Sequence, residues 1–200
     1  MTGREAALLA ALVVGAYLLG SVSPAAVLAR RFGKDLRGSG SGNPGATNAG
    51  RVLGPRWGVV VGVLDVLKGL LPSLVGLALL GRPQAYAVAL ATVLGHVSSP
   101  FLKGRGGKGV ATSLGALLAL AWWWLGAVVA VFVAVLAFTR WVGGASTAAA
   151  LALLPACLLL RPAPQVPADL WSRLFGCALV VIVLARHRTN LLLRANQLRR

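Results

Sequence analysis

The chain has 200 residues, of which 58% are hydrophobic and 12% charged, too apolar for a soluble domain with an ordinary charged surface. Its formal charge of +16, from twenty Lys and Arg against Glu5, Asp35, Asp65 and Asp169, would point to nucleic acid in a soluble protein. In a chain this apolar it reads as the cation bias of cytoplasmic membrane loops, so no nucleic-acid partner is expected and no room is left for a separate soluble domain.

The hydropathy pattern predicts an all-α integral membrane protein, residues 1–200 forming one transmembrane domain, with apolar spans at about 6–28, 57–80, 84–98, 109–121, 122–138, 145–160 and 170–186. The N-terminal run resembles a secretory signal, but further spans follow, so it is read as the first spanning helix. The break between the fourth and fifth spans rests on Trp122, Trp123 and Trp124, residues suited to a membrane interface, and a count of six stays open beside seven. With the N-terminus outside and the C-terminus inside, fifteen cations fall on the inner side and four (Arg4, Arg82, Arg161 and Arg173) outside, while Lys68 lies within the second span. That asymmetry selects this orientation. Asp65 and Lys68, three residues apart, share one helical face and should turn it to the bundle interior. Cys157 and Cys177 lie in apolar runs without CxxC or zinc-type spacing, which suits packing, and no metal or cofactor is expected.

This orientation brings the longest glycine-rich polar stretches to one face. The first, GSGNPGATN over Gly40–Asn48, places glycines, hydroxyls and amides before Arg51. Such a loop can turn several backbone N–H groups onto one anion, because glycine admits positive φ and close approach. It is not a Walker A sequence, and a mere surface linker is the competing reading. The second, GHVSSPFLKGRGGKGVAT over Gly95–Thr112, alternates cations with glycines. Lys108, flanked by Gly106, Gly107 and Gly109, suits a phosphate, whereas Lys103 and Arg105 equally suit topology alone, and His96 reads as a buried helix-end histidine. The third, RHRTN over Arg186–Asn190, carries His187, a candidate base or hydroxyl-positioning donor. The neighbouring Arg194, Arg199 and Arg200 fit contact with anionic membrane lipids.

In this order and on this side, the three stretches resemble the motifs of the bacterial acyl-phosphate:glycerol-3-phosphate acyltransferase family. The resemblance implies seven spans in a bacterial inner membrane and transfer of a fatty acyl group from acyl phosphate to the sn-1 hydroxyl of glycerol 3-phosphate, giving 1-acyl-glycerol 3-phosphate and phosphate. It further implies that Ser41, Gly42, Asn43, Gly45 and Thr47 hold the acyl-phosphate phosphate together with Gly106, Gly107 and Lys108. Arg51, Lys108, His187 and Asn190 would bind glycerol 3-phosphate, with Asn48 counted among the binding residues. Two departures stand out. Trp141–Val142 is followed by Gly143, Gly144 and Ala145 before Ser146, which is taken to replace the family serine, and beyond Asn190 the tail does not follow the family pattern.

No inner-loop Cys, and no Ser beside a His and a carboxylate, is available for covalent catalysis. Acyl phosphate already carries a good leaving group, so the expected mechanism is direct attack by the glycerol hydroxyl. Its catalytic residues would be His187, Lys108 and Asn190, and either His187 or the departing phosphate would take the proton. The rival class is a small-anion transporter, disfavoured because the polar clusters lie at one face and no internal repeat is evident.

Overall fold

The computed structural model describes residues 1–160 and 170–198, with side chains from 189 onward outside the description. Among the described residues every regular element is helical, and the chain divides into two compact units, Met1–Leu120 and Ala121–Arg200.

The first unit holds α1 (Gly3–Ser21), α2 (Pro24–Arg31), α3 (Ala46–Leu53), α4 (Pro55–Leu80), α5 (Arg82–Val97) and α6 (Val110–Leu120). A capping box opens α1: Thr2 Oγ1 accepts the Glu5 N–H at 3.3 Å and the Glu5 carboxylate accepts the Thr2 N–H at 2.7 Å. The apolar run expected over 6–28 is interrupted at Val22–Ser23. Pro24 has no N–H with which to continue α1, and Ser23 caps α2 by accepting the Ala26 N–H at 3.2 Å. Gly54, at φ +103, and Pro55 at the first helical position turn α3 directly into α4.

Helices in hydrocarbon gain little from hiding apolar surface from one another, so their association depends on close contact between small residues. Four glycines supply it here. Gly20 lies on the backbone of Thr92 and Gly95 on that of Tyr17, joining α1 to α5. Gly69 lies on Thr112 and Gly115 on Val66, joining α4 to α6. A Cβ at any of the four would overlap a carbonyl oxygen of the partner helix. With α4 also packed along α5, the order α1, α5, α4, α6 is set by these contacts.

The second unit begins with a 3-10 turn at Trp122–Trp124, followed by α7 (Leu125–Thr139), α8 (Val142–Leu159) and α9 (Leu170–Leu198). α8 packs against both α7 and α9. Trp124 is buried at Gly176, whose missing side chain leaves room for Cys157. The Cys157 and Cys177 thiols are free and 3.9 Å apart, packed between α8 and α9.

Among the described residues, six stretches are long and apolar enough to cross a membrane: 3–31, 55–80, 82–102, 122–139, 142–159 and 170–188. They match six of the seven expected spans closely. The remaining one, expected at 109–121, is α6. Its 11 residues reach only about 16 Å, short of a hydrocarbon core of roughly 30 Å. The Trp cluster does separate it from α7, so the break falls where expected, and α6 is an apolar helix shorter than the other six stretches.

Candidate active site

Both glycine-rich loops belong to the first unit. The segment between α2 and α3 is shaped by Asn48, which is 1% exposed. Its Oδ1 accepts the Ser41 N–H at 2.8 Å, and its Nδ2 donates to the carbonyls of Leu36 at 3.0 Å and Ser39 at 3.1 Å. Gly40 and Gly42 take positive φ, +61° and +68°, and a Cβ on Gly40 would overlap Asn48 Oδ1. The conformation and the close approach therefore both demand glycine there. At the loop's base Asp35 accepts the N–H groups of Arg37 and Gly38.

The loop delivers Gly45 to the N-terminus of α3, which has no side-chain cap. Uncapped N–H groups at a helix start, with the positive end of the helix dipole, suit an anion. Thr47 and Arg51, one helical turn apart on α3, are exposed, as is Ser41, while Gly42 and Asn43 are half-buried and Gly45 is buried.

The second loop folds back on the end of α5. Gly107 N–H donates to the His96 carbonyl at 3.0 Å, Gly106 N–H to the Val97 carbonyl at 3.2 Å, and Gly104 N–H to the Ser99 carbonyl at 2.9 Å. Lys108 is half-buried between buried Gly107 and Gly109, whereas Lys103 and Arg105 are exposed. Lys103 occupies a left-handed position, φ +52°. Arg37 joins the loops by donating from Nη2 to the Leu102 carbonyl at 2.5 Å. That role went unrecognised in the sequence, where Arg37 was one of several loop cations and nothing local marks a contact 65 residues away.

Beneath the loops lies the expected intramembrane pair. Lys68 Nζ is 2.9 Å from Asp65 Oδ1, and both side chains are buried. Two further partners were not foreseen: Lys68 donates to the Val22 carbonyl at 3.0 Å, and His96 Nδ1 lies 3.5 Å from Asp65 Oδ1. His96 is buried at a helix end as expected, but it also faces the Asp65–Lys68 pair.

In the second unit, Ser146 is buried in the first turns of α8, and His187 is buried on α9. His187 Nδ1 lies 2.8 Å from the Val183 carbonyl. A carbonyl can only accept, so Nδ1 carries the proton and, in the neutral ring, Nε2 is the acceptor. α9 continues through residue 190, placing His187 and Asn190 three apart on one helix, although the Asn190 side chain lies outside the described residues.

Known proteins match this chain along nearly its whole length. The family model described as glycerol-3-phosphate acyltransferase matches residues 10–195. A glycerol-3-phosphate acyltransferase of Geobacter sulfurreducens is 41% identical over 181 residues, 88% of each chain. One of Desulforudis audaxviator is 41% identical over 188 residues, 92% of this chain and 91% of the relative. Among solved structures, the crystal structure of PlsY (YgiH), an integral membrane glycerol 3-phosphate acyltransferase, superposes in its glycerol 3-phosphate form with a TM-score of 0.83 at 35% identity, covering 92% of this chain and 90% of that one. Its lysophosphatidic acid form gives 0.80 at 34% identity. With the family model spanning nearly the full length and relatives above 40% identity over most of both chains, the protein belongs to the glycerol-3-phosphate acyltransferase family.

Proposed function

We propose that this chain transfers a fatty acyl group from acyl phosphate to the sn-1 hydroxyl of glycerol 3-phosphate, forming 1-acyl-glycerol 3-phosphate and releasing phosphate, and that residues 1–200 act as one acyltransferase domain. The observation that carries the reading is the junction of two anion-suited loops in one unit: the α3 N-terminus with exposed Ser41, Thr47 and Arg51, and the Gly106–Lys108 turn, linked through Arg37 and Leu102. The relatives, named glycerol-3-phosphate acyltransferases, and the glycerol 3-phosphate and lysophosphatidic acid forms of PlsY support the reaction class.

In this scheme Ser41, Gly42, Asn43, Gly45 and Thr47, with Gly106, Gly107 and Lys108, hold the acyl-phosphate phosphate. Arg51, Lys108, His187 and Asn190 serve glycerol 3-phosphate. Asn48 acts indirectly, because both ends of its amide bind loop backbone. The acceptor hydroxyl attacks the acyl carbon, the bond from that carbon to the phosphate oxygen breaks, and the hydroxyl proton passes to His187 or to the departing phosphate. Catalysis then comes from positioning two anions and from charge stabilisation, without an acyl-enzyme. The cation bias of the sequence supports a cytoplasmic position for the loops, at the inner membrane of a bacterium.

The test is purified protein with acyl phosphate and radiolabelled glycerol 3-phosphate, following phosphate release and labelled lysophosphatidic acid together. Stoichiometric formation of both is expected. Uptake of labelled glycerol 3-phosphate into vesicles without acylation would replace this reading with the transporter.

A further inference from the structure

Three ionisable side chains are buried together beneath the loops: Asp65 at 2% exposure, His96 at 6% and Lys68 at 7%. Charges in a membrane interior are costly, and even well-paired buried ions seldom add net stability. A simple Asp65–Lys68 pair would need no third member, so the contacts of His96 are informative.

The imidazole is held at two edges. Its Nδ1 edge faces the Asp65 carboxylate at 3.5 Å. Its far edge fills the space where a side chain on Gly107 would stand: a Cβ there would overlap Nε2 and come within 2.7 Å of Cε1. The backbone repeats the contact, since the His96 carbonyl accepts the Gly107 N–H at 3.0 Å and would overlap a Cβ on Gly106. Lys68 holds the same carboxylate oxygen, Oδ1, at 2.9 Å, its ammonium also binding the Val22 carbonyl left without a helical partner at the α1–α2 break.

From this arrangement we infer that His96, oriented by Asp65, is a positioning residue for the Gly106–Lys108 turn, setting how its amides and cation meet the phosphate of the acyl donor. The inference rests on the proposed reading of that turn as a phosphate cradle. It assigns His96 no proton transfer and no contact with the reacting atoms. It also explains why two glycines precede Lys108, because the turn lies directly on the ring and carbonyl of His96. Asp65 and Lys68 thereby act on the site through packing.

The experiment is steady-state kinetics of the full-length protein in detergent, each substrate titrated with the other saturating, for the wild type, His96→Ala, His96→Asn, Gly107→Ala and the double variant His96→Ala/Gly107→Ala. Misplacing a binding group by about 1 Å can cost on the order of 10²-fold. His96→Ala is therefore expected to raise the apparent KM for acyl phosphate at least about tenfold, with that for glycerol 3-phosphate changed less than about twofold. His96→Asn, which keeps a donor facing Asp65, should recover part of the loss. Gly107→Ala should be damaging alone but less so in the His96→Ala background, where its methyl group has room, so the double variant should lose less than the product of the single losses. Should His96→Ala not insert, the same coupling is read between His96→Asn and Gly107→Ala. Unchanged acyl-phosphate KM, equal losses for both substrates, or strictly multiplicative losses would overturn the inference while leaving the acyltransferase reading intact. A wild-type protein that transfers no acyl group would instead refute the underlying reading, and this inference with it.

Discussion

Replacing Asn48 by Ala tests whether the first loop is shaped from within. Three neutral hydrogen bonds vanish together, to the Ser41 N–H and the carbonyls of Leu36 and Ser39. At a net worth of about 0.5–1.5 kcal/mol each, they sum to roughly 1.5–4.5 kcal/mol. Ser41 is exposed and Ser39 half-buried, so water replaces part of what is lost there. Only Leu36, 3% exposed, keeps its carbonyl dry. A net cost of about 2–3 kcal/mol follows. If it appears as the cost of ordering the loop on substrate, kcat/KM falls roughly 30- to 150-fold, at about 1.4 kcal/mol per tenfold. Asn48→Asp is the sharper probe. It keeps the acceptor for Ser41 but turns an oxygen toward two carbonyls, so it should be at least as damaging as Ala although nearly isosteric. Phosphate release under subsaturating acyl phosphate gives kcat/KM directly. If both variants stay within about threefold of wild type while the wild-type assay is robust, the loop does not depend on Asn48 and the reasoning fails.

Lys108→Ala should lose most activity and Lys103→Ala little, because Lys108 is half-buried between two glycines while Lys103 is exposed; equal small losses in phosphate release would reduce both cations to topology. Gly115→Ala should lower the unfolding midpoint in detergent, since its Cβ would overlap the Val66 carbonyl and overpacking typically costs about 1–3 kcal/mol. Gly15→Ala, with nothing near its Cβ, is the control and should not destabilise. His187→Ala and Asn190→Ala should both impair use of glycerol 3-phosphate, Asn190 mainly through a raised KM and His187 also through the maximal rate; wild-type kinetics in both would remove this helix from the site. EDTA should leave turnover unchanged, because the glycine-rich loops and the residues leading into them from α2 carry no carboxylate but Asp35, and loss of activity restored by magnesium would refute the all-cation site.

The class of the protein, the order of its spans and the three polar stretches were legible because each depends on local composition. A run of apolar residues is helical in lipid whatever surrounds it, since its backbone has no other partner. Glycine-rich loops with hydroxyls and cations announce an anion site for equally local reasons. Asp65 and Lys68 were read as an inward-facing pair because a helix places residues three apart on one side, and both are buried.

What the sequence left undecided depends on contacts between residues far apart along it. The segment 109–121 has the composition of a span, but its helix is 11 residues long and lies along α4, which nothing in the apolar run itself marks. Arg37 looked like one cation among many until the fold placed the Leu102 carbonyl at its guanidinium. Asn48 looked like a ligand for substrate, yet the fold buries its amide among backbone groups seven to twelve residues away. His96 looked like a helix-end residue, and only the approach of α4 and of the second loop to α5 sets its ring between Asp65 and Gly107. Composition determines which residues enter the membrane and which can meet an anion. Side-chain partnership is decided by packing, because a hydrogen bond a few ångströms long is specified by two backbone positions that only the tertiary fold brings together.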